Sequence, residues 1–178
     1  VTSIIVVFFT VLLSIIIGIT LAWLISAYDF PFRKFFRWAL ILPLAIPPYI
    51  GAYTYSGMVS YTGVIQRFFR NILGVELNQK YFDIMSIEGA IFIFTLFLFP
   101  YVYMVTMTFL EKQSAGLIES ARLLGSSAIG IFFRVIIPVS RGAIVAGSTL
   151  IALEVLSDYG VVSYLGVQTF STAIFKSW

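Results

Sequence analysis

Residues 119–138, ESARLLGSSAIGIFFRVIIP, form the longest charged interruption in an otherwise apolar chain. Their first part predicts a short amphipathic helix, and Gly125 permits the tight turn that ends such a helix. A second apolar helix is predicted over 129–137, where Pro138 should stop or kink it. Because ordinary connections between elements are short, this long patterned segment is better explained as a rigid elbow presented to a soluble partner. The predicted apolar stripes consist of Leu117, Ile118, Ala121 and Leu124 in the first helix and of Ile129, Phe132, Phe133 and Ile136 in the second.

The composition around this elbow is that of a membrane protein. Of the 178 residues, 60% are hydrophobic and 11% are charged, whereas soluble domains have about 45–50% apolar and about 25% charged residues. The chain contains no cysteine and no histidine. The sequence therefore has no disulfide framework and no thiolate metal site, and it lacks histidine, the usual general base and metal ligand; eight acidic residues remain for acid–base chemistry, which is a poor set for an enzyme.

Four apolar runs predict four membrane-spanning helices within a single transmembrane domain covering residues 1–178. A helix needs roughly 20 residues to cross the hydrocarbon core of a bilayer. The expected fold is therefore an all-α integral membrane protein, a polytopic helical bundle with about four spans and one large loop over 111–141. The predicted spans cover approximately residues 3–28, 38–61, 89–110 and 142–165.

Basic residues predict the orientation of this bundle. Arg33, Lys34 and Arg37 lie in the short loop that follows the first run, and short loops rich in Lys and Arg stay in the cytoplasm. With the amino terminus outside, the inner loops hold seven basic residues and the outer segments hold four. The elbow then lies on the cytoplasmic side.

The second run is expected to be a broken helix. It contains Pro43, Pro47 and Pro48, each of which removes a backbone donor and disfavours a helix just before it. The helix should break over 42–48 and resume towards Tyr61. Such breaks occur at membrane depth where they are buried in protein or line a cavity, so a pathway-lining role and a simple packing kink both remain open.

Small residues and one outer segment complete the sequence-level description. Ser14 and Gly18 lie four residues apart and form a strip that either faces lipid or lets another helix approach closely. Residues 64–73 predict a short helix in the outer interface, with Gln66 on its polar face, followed by a loop over 74–83.

Two carboxylates lie near the end of the fourth run. Glu154 and Asp158 are four residues apart and share one helical face. An ionised carboxylate at the bilayer centre costs roughly 2.5–3.5 kcal/mol. They are therefore expected to face the bundle interior or to lie near the outer interface, and the interfacial position is favoured over a substrate site.

The spacing within the elbow resembles the cytoplasmic "EAA" loop of type I ABC importer permeases. That family has Glu-Ala-Ala, three residues, Gly, and then a hydrophobic stretch that ends in Pro. Here the order is Glu119-Ser120-Ala121, then Gly125, then Pro138. Ser120 replaces the commoner Ala, and Gly142 stands where many relatives have Pro.

The resemblance implies the roles of these residues. In that family the loop is the coupling helix, which docks on a separate ATP-binding subunit, so the implied docking residues are Glu119, Ser120, Ala121, Gly125 and Pro138. The chain itself would be no enzyme and would bind no cofactor and no metal, and ATP and Mg²⁺ would be used by the partner. The implied partners are an ATP-binding subunit dimer, a second permease half, a periplasmic substrate-binding protein and membrane lipid, with no nucleic acid. The implied location is the bacterial inner membrane, as a multi-pass protein.

Two flanking stretches resemble ferric iron permeases in particular. These are Leu42-Pro43-Leu44-Ala45-Ile46-Pro47-Pro48-Tyr49 and Leu156-Ser157-Asp158-Tyr159-Gly160, the second followed by Gly166-Val167-Gln168-Thr169-Phe170. The chain then resembles the amino-terminal half of such a permease, supplied with iron by its binding protein. The candidate residues of the translocation path are Pro47, Pro48, Tyr49, Glu154, Asp158 and Tyr159.

Other functions remain open at this level. Similar permeases move thiamine, phosphonates, polyamines or sulfate. A secondary transporter would use Glu154 and Asp158 as ion-coupling carboxylates, but the long elbow would then have no purpose. A membrane enzyme using the same two residues as an acid–base pair ranks last.

Overall fold

The computed structural model describes residues 1–60, 63–73, 84–113 and 115–177. Every regular element in these residues is helical, which confirms the predicted all-α fold class. The helices are α1 (Thr2–Ala27), α2 (Arg33–Ala39), α3 (Pro48–Val59), α4 (Val64–Phe68), α5 (Ile87–Gln113), α6 (Ala115–Leu123), α7 (Ala128–Ile131), α8 (Ile137–Ser157), α9 (Gly160–Tyr164) and α10 (Phe170–Lys176).

Within the described residues, three helices are long and apolar enough to cross a membrane: Thr2–Ala27, Ile87–Lys112 and Ala128–Ser157. The segments on either side of residues 46–47 are together long and apolar enough for a fourth crossing, although the chain bends by more than 40° between them. Counted as one bent span, they bring the number of crossings to four. The count agrees with the prediction of about four spans.

The core forms where α1 and α8 pack closely against α5. Val102 of α5 is fully buried, and a Cβ atom on Gly18 of α1 would lie 2.9 Å from the Val102 Cβ. A Cβ atom on Gly147 of α8 would lie 2.8 Å from the Val102 Cα. Ser14 is also buried, so the small strip predicted on α1 is a packing surface. The fully buried large side chains, Tyr103, Phe94, Ile93, Leu110, Ile136 and Ile151 among them, surround this contact.

The contacts define the relative directions of the three long helices. Near their starts, α1 and α5 place Phe9 and Glu88 in one cleft, and further along both helices Gly18 meets Val102. These two helices therefore run parallel. Helix α8 runs in the opposite direction, because its late residue Val155 lines a cleft with Ser3 at the start of α1. The loop after α1 and the segment after α5 consequently lie at the same end of the bundle.

The predicted break of the second run is confirmed. Helix α2 ends at Ala39, a 3-10 turn covers Leu42–Ala45, and α3 begins at Pro48. Ile46 is extended, with φ −110° and ψ 121°, as expected for a residue before a proline. Pro48 occupies the first position of α3, where a missing N–H costs nothing.

The fourth span differs from its prediction at both ends. A span was expected over 142–165, but α8 covers Ile137–Ser157, and α9 is a separate helix. Pro138 does not stop the helix, because a π-helical turn over Phe132–Ile136 precedes α8 and the proline falls in the first turn after it. Ala128–Ser157 is consequently one continuous helix, and the loop predicted over 111–141 is shorter than expected.

The outer segment agrees with its prediction only in part. Residues 64–73 form α4 and a π-helical turn, as a helix was predicted there. Gln66, expected on the exposed polar face, is buried instead. The loop predicted over 74–83 lies outside the described residues.

Candidate functional site

The turn of the elbow has the geometry that Gly125 was expected to allow. Gly125 has φ 78°, its N–H donates to the Arg122 carbonyl at 2.9 Å, and the Ser126 N–H donates to the Ala121 carbonyl at 3.1 Å. This pair of bonds is a Schellman motif, which ends α6 and satisfies its last carbonyls. A side chain at Gly125 would be strained in this left-handed conformation.

The second arm of the elbow begins immediately afterwards. The Ser127 hydroxyl accepts a hydrogen bond from the Gly130 N–H at 3.2 Å and caps α7. Only residues 124–127 separate α6 from α7. Because both helix ends are fixed by specific hydrogen bonds, the elbow is a rigid unit rather than a flexible loop.

Several elbow side chains face outward. Leu123 is 89% exposed, Leu124 is 85% exposed and Ile129 is 70% exposed, and Glu119 and Ser120 are also exposed. We call these five residues the elbow surface. Ile118 and Ile131 point inward and are buried. Of the predicted apolar stripes, Ile118 and Ile136 are buried, whereas Leu124 and Ile129 belong to the elbow surface.

Contacts from the elbow reach the end of α1. Arg122 Nη2 donates to the Ala27 carbonyl at 3.0 Å, and its guanidinium lies 5.4 Å from the centre of the Tyr28 ring. The Trp23 and Phe132 rings have centroids 4.9 Å apart. The elbow is thereby attached to α1 on one side and continues directly into α8 on the other.

The docking residues implied by the resemblance are not all in one place. Glu119, Ser120 and the partly buried Ala121 lie on α6, and Gly125 follows at the turn. Pro138 lies ten residues beyond the start of α7 in a continuous helix, which is about 15 Å along its axis. The structure therefore brings four of the five residues together and leaves Pro138 apart from them.

The candidate path residues of α3 approach the segment that follows α8. A Cβ atom on Gly160 would lie 3.0 Å from the Tyr49 Cβ, and the rings of Tyr53 and Tyr164 have centroids 5.9 Å apart. The two stretches that resemble ferric iron permeases are thus neighbours. Tyr49 is exposed beside this contact, and Pro47 and Pro48 form the start of its helix.

The acidic residues lie at the end of the bundle opposite to the elbow. The Asp158 carboxylate accepts a hydrogen bond from the Val161 N–H at 2.9 Å, and the Asp158 carbonyl accepts one from the Ser171 hydroxyl at 2.7 Å. Burial raises the pKa of the Asp158 carboxyl above its ordinary value of 3.8; the N–H groups of Val161 and Val162 lower it, and the Glu154 charge raises it. Asp158 therefore caps α9 at a cost in desolvation.

Glu154 and Tyr159, the other two candidate path residues at this end of the bundle, have different surroundings. Glu154 is exposed one helical turn before Asp158, and the Tyr159 ring packs on Phe175 with centroids 4.3 Å apart. In the part of the chain that the structure describes, no three acidic, histidine or cysteine side chains form a group that could hold a metal ion.

Some residues and contacts of the elbow could not be assigned from the sequence. Leu123 was not assigned to any face, although at 89% exposure it is more exposed than Leu124 and Ile129. The contact of Arg122 with the Ala27 carbonyl was not predicted either. A second Leu next to Leu124 was a weak sign of an exposed apolar pair. The contact between Arg122 and Ala27 spans 95 residues of sequence, and no local pattern indicates it.

The fold and the elbow define a polytopic α-helical membrane protein. The end of α1 contacts the elbow through Arg122, and the elbow continues into the helix Ala128–Ser157. A sequence profile of the family described as "Binding-protein-dependent transport system inner membrane component" matches residues 14–177, and the chain belongs to this family. The resemblance to type I ABC importer permeases is thereby confirmed.

Individual relatives differ in what their names say they transport. The chain is 32% identical over 165 residues to "Fe(3+)-transport system permease protein FbpB 2" of Haemophilus influenzae, covering 93% of the chain and 28% of the relative. It is 30% identical over 152 residues to "Probable sulfate transport system permease protein cysT" of Prototheca wickerhamii, covering 85% and 56%. It is 27% identical over 156 residues to "Spermidine/putrescine transport system permease protein PotB" of Escherichia coli, covering 87% and 56%. The chain thus spans between about a quarter and just over half the length of these relatives.

Proposed function

We propose that this chain is part of the permease of an ATP-driven importer in the bacterial inner membrane, supplied by a periplasmic binding protein. ATP would be hydrolysed with Mg²⁺ in a separate dimer of ATP-binding subunits, and a second permease half would complete the path. The observation that carries the proposal is the elbow surface, whose large apolar side chains are exposed on a rigid turn. Exposed apolar clusters rimmed by polar residues are typical of protein interfaces.

The elbow surface has the chemistry of a docking site. Leu123, Leu124 and Ile129 supply the apolar centre, and Glu119 and Ser120 supply its polar edge. Such an arrangement of apolar centre and polar rim is common at interfaces between subunits. Ala121 and Gly125 set the backbone of the turn through the hydrogen bonds that end α6.

Movement of the elbow would reach the spans through two routes. One is the continuous helix Ala128–Ser157, and the other is the bond from Arg122 to the end of α1. Closure of the ATP-binding subunits would push the elbow, and α1 and α8 would tilt against α5. The path would then open between α3 and the segment after α8, where Tyr49 lies beside Gly160.

The transported substrate is proposed to be ferric iron, received from the binding protein rather than from solution. Support comes from the relative named as an Fe(3+) permease and from the contact between the two stretches that resemble ferric iron permeases. Sulfate and polyamines are the alternatives, because other relatives have those names. Uptake of radioactive iron, sulfate and spermidine by the same reconstituted transporter would distinguish them.

A charge reversal tests the docking role. In the complete permease co-expressed with its ATP-binding subunit, Glu119→Arg should abolish co-purification of the two and lower ATP-driven uptake at least about tenfold, as expected when about 1.4 kcal/mol or more of binding is lost. Glu88→Arg is the matched control. Glu88 is also exposed, but it lies at the start of α5, at the end of the bundle opposite to the elbow. Normal uptake in Glu119→Arg, or uptake that needs a proton gradient and no ATP, would overturn the proposal.

A further inference from the structure

The loop after α1 forms an open cleft at the same end of the bundle as the elbow. The cleft has a volume of about 490 Å³ and is lined by Asp29, Phe30, Phe32, Arg33, Lys34 and Arg37. Three cationic side chains and one acidic side chain give this lining a net charge of +2. We propose that the cleft binds the headgroup of an anionic membrane phospholipid.

Two of the three cations are held in place by the protein itself. Arg33 pairs with Asp29, and its Nε donates to the Ile25 carbonyl at 2.7 Å. Arg37 Nη2 lies 2.7 Å from Glu111 Oε2. Because their positions are fixed, these guanidinium groups lose little further conformational freedom when an anion arrives.

Lys34 is the cation that remains available. It is exposed, and it forms no ion pair with any residue that the structure describes. An ammonium group on a flexible stem can reach a phosphate without a fixed geometry. The cleft therefore combines two guanidinium groups held in ion pairs with one mobile ammonium group that has no ion pair within the described residues, and with Glu111 counted the local net charge is still positive, at +1.

Aromatic side chains around the cleft identify a lipid as its occupant. Phe32 is 77% exposed, Trp38 is 69% exposed and Phe35 is 66% exposed. Phe32 adopts φ 65°, a left-handed conformation that is uncommon for a bulky residue, and its ring stays outside the core. A Trp beside basic residues is typical of the level of lipid headgroups, and the exposed Phe32 and Phe35 rings add apolar surface that acyl chains can cover.

A soluble acidic partner or a free anion would fit this surface less well. Either could satisfy the positive charges, but neither would cover exposed rings that continue into Leu42 and the apolar 3-10 turn after α2. A phospholipid satisfies both, because its phosphate meets the cations and its acyl chains meet the rings. The anionic class is favoured over the zwitterionic class because the lining carries net positive charge.

The test is a lipid titration of the complete purified transporter in detergent, followed by native mass spectrometry. Phosphatidylglycerol should bind more tightly than phosphatidylcholine. Lys34→Gln should weaken the binding of phosphatidylglycerol about fivefold, the effect expected for one basic residue near an anionic surface, and should leave phosphatidylcholine unchanged. Lys34→Arg should restore it. Lys112→Gln is the control, since Lys112 is exposed at the same end but does not line the cleft.

Several results would overturn the assignment. These are equal binding of the two lipids by the unaltered protein, equal losses in Lys34→Gln and Lys112→Gln, and displacement of phosphatidylglycerol by millimolar inorganic phosphate. Lys34→Gln that loses the ATP-binding subunit but keeps phosphatidylglycerol would assign the cleft to that subunit instead. Since no measurement uses uptake, the result is independent of the proposed transport function.

Discussion

Arg122 and Ala27 are 95 residues apart in the chain, yet Arg122 Nη2 donates to the Ala27 carbonyl oxygen at 3.0 Å. The last turn of a helix leaves carbonyl groups without intrahelical donors. At α1 one of these carbonyls is satisfied from the elbow, and another, that of Ile25, is satisfied by Arg33. The end of the first span is thereby tied to the surface proposed to meet the ATP-binding subunit.

Replacing Arg122 should uncouple ATP hydrolysis from uptake. Arg122→Gln is expected to lower uptake per ATP hydrolysed several-fold, because α1 no longer follows the elbow. Since the side chain is exposed, the loss of stability should stay below about 1 kcal/mol. The measurement is parallel assay of uptake and ATPase activity in proteoliposomes. Arg134→Gln is the control, because Arg134 is exposed in the same region and forms no ion pair within the described residues. Equal uptake per ATP hydrolysed in the two variants would contradict the expectation.

Gly125 should tolerate no side chain without loss of docking. Gly125→Ala places a Cβ atom at φ 78°, which costs about 1 kcal/mol and should weaken binding of the ATP-binding subunit. Titration of the purified permease with that subunit measures the change. Gly116→Ala is the matched control on α6, where a Cβ atom meets nothing within 4 Å and helix propensity should improve by up to about 1 kcal/mol. Unchanged binding in Gly125→Ala would exclude a requirement for the left-handed turn.

Gly147 should be required for helix packing. A Cβ atom there would lie 2.8 Å from the Val102 Cα, and because backbone cannot move aside easily, Gly147→Ala should destabilise the protein by about 1–3 kcal/mol. Thermal unfolding in detergent is the measurement. Gly142→Ala on the same helix has no atom within 4 Å of the new Cβ and should be neutral or stabilising. Similar melting temperatures for both variants would show that α8 does not approach α5 so closely.

Asp158 should make stability depend on pH. Its pKa is raised by burial and by the Glu154 charge, so the folded state holds the proton more tightly than the unfolded state does. The stabilisation from protonation is complete below 3.8, the ordinary value, and is lost as the pH rises through the higher folded pKa. Asp158→Asn keeps an acceptor for the Val161 N–H without the charge. The difference in stability between Asp158→Asn and the unaltered protein should therefore shift in favour of Asp158→Asn as the pH rises from acid to neutral.

The control for this experiment separates charge from capping. Asp158→Ala also removes the charge but loses the acceptor, which costs about 1 kcal/mol at a helix start, and it should be less stable than Asp158→Asn at every pH. Unfolding curves from acid to neutral pH give both comparisons. A difference between Asp158→Asn and the unaltered protein that does not change with pH would show that Asp158 does not titrate as its surroundings indicate.

The sequence predicted the features that depend on composition and on proline chemistry. Long uncharged runs identified the spans, and Pro47 and Pro48 identified the break before α3. The start of α8 could not be predicted, because the π-helical turn over Phe132–Ile136 keeps the chain helical ahead of Pro138 and has no clear sequence signal. Periodicity placed Leu124 and Ile129 on helical faces, but it could not show which faces meet α1 and which stay exposed.

The helix Ala128–Ser157 has a mechanical consequence. At 30 residues it is about 45 Å long, which exceeds the roughly 30 Å hydrocarbon thickness of a bilayer. One end is part of the elbow, and the other ends beside Asp158. The close contact between Gly147 and Val102 would act as a pivot for this helix. A small displacement of its end at the elbow would then move its end at Asp158 in the opposite direction.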